Sequence, residues 1–365
     1  MKLFYDARYI RPIHDGISRY STEIANALWE LVKDSDIELT FLYWHKDQLE
    51  KLPKGAKYLK IHYQVNLREF ILPQILNQYH PDVVFSPLHT PGVFGAKYKK
   101  ILTSHDMIYY HHHTPPLDLH YIMRPLWRIY FATYWPQRLL LNQADLVVTV
   151  SESAKKQFQR AKLTKRPILV VPNAPDAKLN QFVRKVDLSK PPRNIVYMGA
   201  FIGYKNVELL IKGMKFLPEY TLHLMSRVPK WRKKQLAKLA PKNSKIVFHN
   251  GVTDKQYADL LANDAILATA SLDEGFGLPV AEALTLGVPA VITNMPVFHE
   301  VAGRGALFFN PHDPRDFAKK VERLDDKKLR LEVSKAGLEH IAQFNWYHSA
   351  NVLLKAIKEL YEEKG

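Results

Sequence analysis

The chain alternates, twice over, between short β-branched or aromatic runs and longer segments of helical period. No other feature constrains its fold as tightly. Apolar runs at 2–6, 37–44, 58–64, 82–86, 101–105, 146–150 and 168–171 read as strands of a first series. A second series follows at 194–198, 221–225, 245–249, 265–269, 289–293 and 306–309. Between them, Tyr20, Ile24, Leu28 and Leu31 repeat at the spacing of one buried helix face, as do Val207, Leu210, Ile211 and Met214. A strand followed by a helix and another strand returns to the same sheet in parallel, and the crossover helix covers one face. Strands covered on both faces are apolar throughout rather than alternating, as these runs are. The pattern predicts an α/β protein of two doubly wound parallel-sheet domains, and 365 residues suit two domains of ordinary size.

The boundary is readable from breakers. Asn173-Ala-Pro-Asp-Ala and Lys190-Pro-Pro-Arg bracket a polar stretch without period, which places a first domain at 1–172, a linker at 173–193 and a second domain at 194–345. A last helix over 346–365 has an apolar face of Trp346, Ala350, Leu353, Leu354, Ile357 and Leu360, and is expected to pack back on the first domain. The chain has no cysteine, which excludes disulfides, thiolate metal sites and a cysteine nucleophile. The opening MKLFYDARYI meets Asp6 and Arg8 before a signal-peptide apolar region develops, and no apolar stretch nears the roughly 18 residues of a spanning helix. A cytoplasmic protein is expected.

In open α/β sheets, ligands bind outside the carboxyl ends of the strands, against helix N-termini. Residues just past each predicted strand are therefore the informative ones. The richest string is Ser271-Leu-Asp-Glu274-Gly-Phe-Gly-Leu-Pro279-Val-Ala-Glu282-Ala, directly after the 265–269 run. Gly275 and Gly277 admit backbone paths closed to other residues, Pro279 suits the first helical position, and Gly287 with Pro289 ends the helix. The string predicts a loop presenting amides at Gly275, Phe276, Gly277 and Leu278, and a positive helix end, to an anion such as a diphosphate. Glu274 on the loop and Glu282 in the first helical turn offer paired acceptors that suit sugar hydroxyls. Taken alone, Gly-x-Gly is equally an ordinary strand–helix turn in which Glu282 complements the helix dipole.

Three further places stand out. In Asp15-Gly16-Ile-Ser-Arg19-Tyr20, Gly16 can bring backbone close to a phosphate, Ser18 can cap the helix, and Arg19 can add a charge-assisted contact. Gly199-Ala-Phe-Ile-Gly-Tyr-Lys205-Asn206 sets a lysine at a helix start. Ser104-His105-Asp106 ends a predicted strand, where a histidine can exchange a proton with a sugar hydroxyl or simply bond to Asp106. His111, His112 and His113 are adjacent and cannot all face one ion, so no metal site is expected there.

Together these strings resemble the retaining glycosyltransferases of the GT4 family, whose E-x7-E pair falls on Glu274 and Glu282. Val170-Val-Pro-Asn173 resembles that family's interdomain stretch, and Tyr197-Met-Gly199 with Lys205-Asn206 its next phosphate-binding block. Phe298-His-Glu300-Val-Ala-Gly303 and Phe309-Asn-Pro311 resemble its closing motifs, and the likeness is strongest from 145 to 312. The resemblance implies the GT-B fold, two Rossmann-like domains facing a central cleft. It implies a nucleotide-sugar donor, a glycan or lipid-linked acceptor, and no metal or other cofactor. By it, Glu274 contacts donor-sugar hydroxyls, Glu282 holds the ribose, and the amides of Phe276, Gly277 and Leu278 meet the diphosphate or sugar. Lys205, in a block with Gly199 and Asn206, neutralises the leaving diphosphate. The Gly16–Arg19 loop faces that diphosphate, His105 lies near sugar and acceptor, and Arg227 and Val252 flank the base. Ala200 stands where the family often carries an arginine. The look of a bacterial mannosyltransferase of polysaccharide assembly favours GDP-mannose. The alternatives are a UDP-sugar-dependent hexosyltransferase and an inert nucleotide-binding module.

The net charge of +16 attracts polyanions, phosphorylated molecules or anionic membrane. Between Asp118 and Asp145 there is no acid, while Arg124, Arg128 and Arg138 interleave with Trp127, Tyr130, Phe131, Tyr134 and Trp135. Ser153–Arg166 adds six basic residues without an acid, and Pro229–Lys245 another seven. Solvated helix faces explain each run singly. Basic and aromatic residues together suit an anionic membrane surface, which makes peripheral attachment at the inner face of the cell membrane an expectation. Nucleic acid is not expected as a partner, because no recognised binding pattern accompanies the charge.

Overall fold

A computed structural model describes residues 1–363, apart from 12–14, 65, 91, 116–118, 177–178, 180 and 183–185. It divides into two compact units, Met1–Asn173 with Asn345–Gly365, and Ala174–Phe344.

The first unit holds β1 (Lys2–Asp6), β2 (Glu38–Tyr43), β3 (Lys57–Lys60), β4 (Val83–Ser86), β5 (Lys99–Thr103), β6 (Leu146–Thr149) and β7 (Ile168–Val170). They form one sheet in the order β3-β2-β1-β4-β5-β6-β7, every pairing parallel. Leu3 lies opposite both Leu39 and Val83, so β1 is central and its apolar residues are buried on both faces. The helix Gly16–Val32 buries Tyr20, Ile24 and Leu28, while Leu31 is half-buried. Against it packs Trp346–Glu362, with Ala350, Leu353, Leu354 and Ile357 buried. The Tyr20 and Trp346 rings meet edge-on at 6.1 Å, and the Ser349 hydroxyl donates to the Pro172 carbonyl at 2.8 Å. Residues 364–365 of the expected last helix lie outside the described residues.

The second unit holds β8 (Asn194–Tyr197), β9 (Thr221–Leu224), β10 (Lys245–Phe248), β11 (Ala265–Thr269), β12 (Ala290–Thr293) and β13 (Ala306–Phe309). Their order is β10-β9-β8-β11-β12-β13, again all parallel. Ile195, Tyr197, Leu210, Leu222, Ile266 and Phe317 belong to one continuous core. The stretch expected as linker, 173–193, joins this unit from Ala174 onward, although 177–178, 180 and 183–185 lie outside the described residues. Leu179 and Val186 are buried, and the fully buried Arg330 donates from Nη2 to the Leu188 carbonyl at 3.0 Å.

Each sheet reverses its winding beside its first strand, between β1 and β4 in one and between β8 and β11 in the other. At such a switch point the two crossovers leave on opposite faces and open a crevice at the carboxyl ends. No helix among the described residues is long and apolar enough to cross a membrane.

Candidate functional site

In the second unit, the loops leaving β8 and β11 carry the strings singled out above, and the switch point brings them together. The Leu272 amide donates to the Tyr204 carbonyl at 2.7 Å, stitching one loop to the other. Lys205 ends a single turn, Gly203–Lys205, and Asn206 follows in the left-handed region at φ 49°. Lys205 Nζ lies 2.5 Å from Glu274 Oε1, with only 17% and 13% of the two side chains exposed. Removed from water to that degree, the ammonium and the carboxylate each serve as the other's main counter-charge.

The approach to Glu274 is held by hydroxyls. Ser271, fully buried, donates from Oγ to Glu274 Oε1 at 2.8 Å. Its own Oγ lies 3.1 Å from Thr269 Oγ1, and Thr293 on β12 donates to the Ser271 carbonyl at 2.7 Å. Past Glu274 the chain turns through Gly277 at φ 99°, where a Cβ would sit 2.7 Å from Phe298 Cε1. Glycine is required there on both counts. Phe276 is buried edge-on against Phe344 at 5.4 Å. Among the described residues no hydrogen bond is made by the amides of Phe276, Gly277 and Leu278. Unpaired amides at a helix start can form an anion-binding concavity.

Because Gly277 sets the break, the helix runs Leu278–Thr285. Pro279 is therefore its second residue and Glu282 its fifth, one turn deeper than the first-turn placement expected from sequence. Glu282 is buried. Two other expected ligand groups are already engaged. The Gly199 amide donates to Ser226 Oγ at 3.0 Å, and Asn206 Nδ2 donates to the Pro311 carbonyl at 2.9 Å.

Beyond β9 and β10, the exposed Arg227 lays its stem over Gly251, whose Cβ position lies 2.9 Å from Arg227 Cγ. Val252 follows, on a groove of about 430 Å³ that Met225, His249, Gln256 and Asp259 also line. Arg227 and Val252, singled out separately, are thus neighbours.

The first unit carries the remaining positions. Gly16 opens its helix, but Asp15 rather than Ser18 caps it, accepting from the Ser18 amide at 2.8 Å. The Ser18 hydroxyl instead accepts from the Arg11 amide at 2.9 Å and donates to the Arg11 carbonyl at 3.1 Å. Asp15 starts the helix one residue before Gly16, so Ser18 falls inside the first turn. Arg19, half-buried, lies on that turn. His105 stands two residues beyond the end of β5 and not within a strand. Its Nε2 donates to the Pro87 carbonyl at 2.8 Å, while Asp106 accepts from the Ile108 amide at 3.0 Å, so His105 does not rest on Asp106. Burial pushes the His105 imidazole down to about 4, which keeps it neutral. Neighbouring His89, half-buried with its Nδ1 shielded from solvent, is likewise pushed down to about 4, by desolvation first and then by His105. His111 ends a short helix, and among the described residues no group of three or more potential ligands could hold a metal ion. Asp34-Ser35-Asp36, an Asp-x-Asp pattern, is exposed just before β2, at the amino ends of the strands.

Sequence reasoning missed two features. One is Ser271, a single hydroxyl in a polar string. The other is a buried ionic knot at the β1–β4 switch point. Arg8, fully buried, pairs with Asp6 at 2.8 Å and with Glu69 at 2.8 Å, and Glu69 also meets His62 at 3.0 Å and accepts from Thr90. Asp6 and Arg8 registered in the sequence only as charges interrupting an apolar start. They pair with each other two residues apart, but the Glu69 that completes the knot lies 61 residues beyond Arg8, out of reach of any local pattern.

Comparison with known proteins bears on both units. Residues 15–179 match the family described as Glycosyltransferase Family 4, and residues 180–340 match Glycosyl transferases group 1. A serotype-specific mannosyltransferase WbdA of Escherichia coli is 24% identical over 288 residues, covering 73% of this chain and 34% of that protein. The chain therefore spans about a third of the length of that relative. The O-antigen chain mannosyltransferase RfbU of Salmonella typhimurium is 26% identical over 259 residues, covering 64% of this chain and 71% of its own. Among solved structures, Anabaena Alr3699/HepE in complex with UDP and glucose superposes with a TM-score of 0.69 at 15% identity, covering 98% of this chain and 99% of that one. That likeness establishes the fold.

Proposed function

The chain belongs to the GT4-like glycosyltransferases of GT-B fold, and we propose that it moves a hexose, mannose by preference, from a nucleotide-sugar donor to a hydroxyl of a glycan or lipid-linked acceptor with retention at the anomeric carbon. One observation carries the reading. An ammonium, a carboxylate and three unbonded amides converge where β8 and β11 end.

On this reading Lys205 and Glu274 neutralise each other until the donor arrives. The diphosphate then takes the ammonium and the Phe276–Leu278 amides, and the sugar hydroxyls take the Glu274 carboxylate. Glu282 holds the ribose, and Arg227 with Val252 the base. The anomeric carbon–oxygen bond to the phosphate breaks through an oxocarbenium-like state. The electron pair goes to the diphosphate, whose charge is met by donors placed in advance, which is the largest catalytic effect available to such a site. The departing phosphate oxygen accepts the proton of the attacking hydroxyl, so no protein nucleophile is required. His105, neutral and fixed through Nε2, keeps Nδ1 as an acceptor for a hydroxyl in the first unit. No metal enters this reading, and chelation with EDTA is expected to leave turnover unchanged.

The mannosyltransferase relatives support mannose, and a GDP donor with it. The Anabaena structure, in complex with UDP and glucose, supports a nucleotide sugar and leaves the UDP-hexose reading as the alternative. Thermal-shift ranking of GDP, UDP and ADP separates these, because a bound nucleotide raises the melting temperature by mass action. GDP is expected to give the largest shift. Transfer from GDP-mannose is then expected to fall about 10²–10³-fold in Lys205→Ala, the loss typical of removing one preorganised donor. Wild-type turnover in Lys205→Ala and Glu274→Gln overturns the assignment. Nucleotide binding with no donor consumed for any sugar favours the inert module instead.

A further inference from the structure

The helix Arg124–Ala132 of the first unit has two apolar faces, and only one is covered. Trp127 and Phe131 turn inward onto Tyr109 at 5.0 and 5.3 Å, and Phe131 and Tyr134 onto Tyr110 at 5.1 and 4.7 Å. On the other side Leu126 and Ile129, at i and i+3, stand 57% and 68% exposed, and Ile122 on the preceding turn Tyr121–Met123 is 61% exposed. Tyr121 and Trp135 flank this stripe, 71% and 68% exposed. A contiguous bare row of large side chains at the surface marks an interaction site rather than scattered exposure.

The charge around the row is one-sided. Arg138 donates to the carbonyls of Ala161 and Lys162 at 2.6 and 3.0 Å, and Arg166 Nε donates to Asn142 at 2.9 Å. These bonds seat the 160–166 turn beside the helix Trp135–Leu141, so the two acid-free basic segments of the sequence are neighbours in space. Residues 119–166 contain Arg124, Arg128, Arg138, Lys155, Lys156, Arg160, Lys162, Lys165 and Arg166 against two acids, Asp145 and Glu152. A second copy of the chain seated on this row would oppose like charges. An anionic bilayer matches every component: acyl boundary for the aliphatic row, headgroup depth for the Tyr121 and Trp135 rings, and lipid phosphates for the cations.

We propose that residues 121–135 form a membrane-insertion element that docks the first unit on anionic lipid, with Ile122, Leu126 and Ile129 entering the acyl boundary. This deepens the lipid-linked acceptor of the proposed function. The test below involves no sugar transfer, so either proposal can fail alone.

The full chain is floated with vesicles of phosphatidylcholine alone or mixed with phosphatidylglycerol. Wild-type protein is expected to float with the mixed vesicles and not with pure phosphatidylcholine. The triple variant Ile122→Ser, Leu126→Ser, Ile129→Ser is expected to lose about tenfold in partitioning. Its melting temperature and its thermal shift with a nucleoside diphosphate should stay at wild-type values, which shows that it folds. Arg160→Glu with Lys165→Glu should weaken binding in low salt and make little difference in high salt, where the charge is screened. The proposal is overturned if wild-type protein stays unbound or binds both vesicle types equally, or if the triple variant binds as wild type. It is also overturned if the triple change converts an oligomer to a monomer, which would assign the row to self-association.

Discussion

Removing one buried hydroxyl tests how Glu274 is held. In Ser271→Ala the carboxylate loses a 2.8 Å donor that is fully shielded from water, while Lys205 remains 2.5 Å away. With Lys205 still paired, the donor-free protein is expected to lose only about 1 kcal/mol of stability. For a unit of this size, that lowers the melting temperature by roughly 2–4 °C. Turnover should suffer more. If Lys205 turns to the diphosphate, Ser271 becomes the principal group fixing the carboxylate against the sugar. A hydrogen bond to a charged group is worth about 1.5–3 kcal/mol, and losing the lower part of that range slows transfer roughly 10–30-fold. The assay is steady-state transfer from the donor with the largest thermal shift, in wild type, Ser271→Ala, Glu274→Gln and the double variant. A residue that acts through Glu274 should have no more than about a twofold effect once Glu274 is glutamine, so the cycle should show a coupling near 1.5 kcal/mol. Wild-type kcat in Ser271→Ala refutes the reasoning. So does an equal loss in both backgrounds, because Ser271 would then act on the loop through Thr269 and Thr293.

Three other outcomes are expected. His89 and His105 both have folded values near 4, below the ordinary 6.5, so the unfolded chain binds more protons between those limits. Stability should hold above pH 6.5 and fall as pH drops towards 4, and His105→Gln should flatten that slope in melts taken at successive pH values; an unchanged slope contradicts the buried neutral ring. Gly277→Ala combines φ 99° with a Cβ 2.7 Å from Phe298, and should cost about 1–3 kcal/mol in chemical denaturation and abolish the nucleotide thermal shift. Arg8→Met strands Asp6 and Glu69 in the interior and should cost about 3–5 kcal/mol, read as loss of the first unit's transition in calorimetry.

The parallel sheets were legible because their strands are apolar on both faces, which makes each a continuous run. Strand limits were less so: the 101–105 run lies in register as Lys99–Thr103, since two lysines on the half-buried amino end disguise its start. Helix starts were displaced where two cappers compete, as Asp15 and Ser18 do, or where a left-handed glycine sets the break, as at Gly277. Lys205 and Glu274 were named from separate strings, and spacing could not show that they would bond to each other. Nor could periodicity tell which face of a doubly apolar helix such as Arg124–Ala132 would be covered, because both satisfy the same repeat. Long-range pairs such as Arg8 with Glu69 leave no local trace at all.

The return of residues 345–362 to the first unit has a consequence for how the protein is made. On the ribosome the second unit has all of its residues in hand while its predecessor still awaits the helix that packs on its opening helix and meets Tyr20 through Trp346. A stop codon at position 345 would therefore spare the later-synthesised unit and cripple the earlier one, and a fragment cut at 173 would lack the helix that packs on its opening helix. Dissection of the chain into working halves calls for joining 345–362 to the amino-terminal portion, with the second unit taken as the uninterrupted segment 174–344.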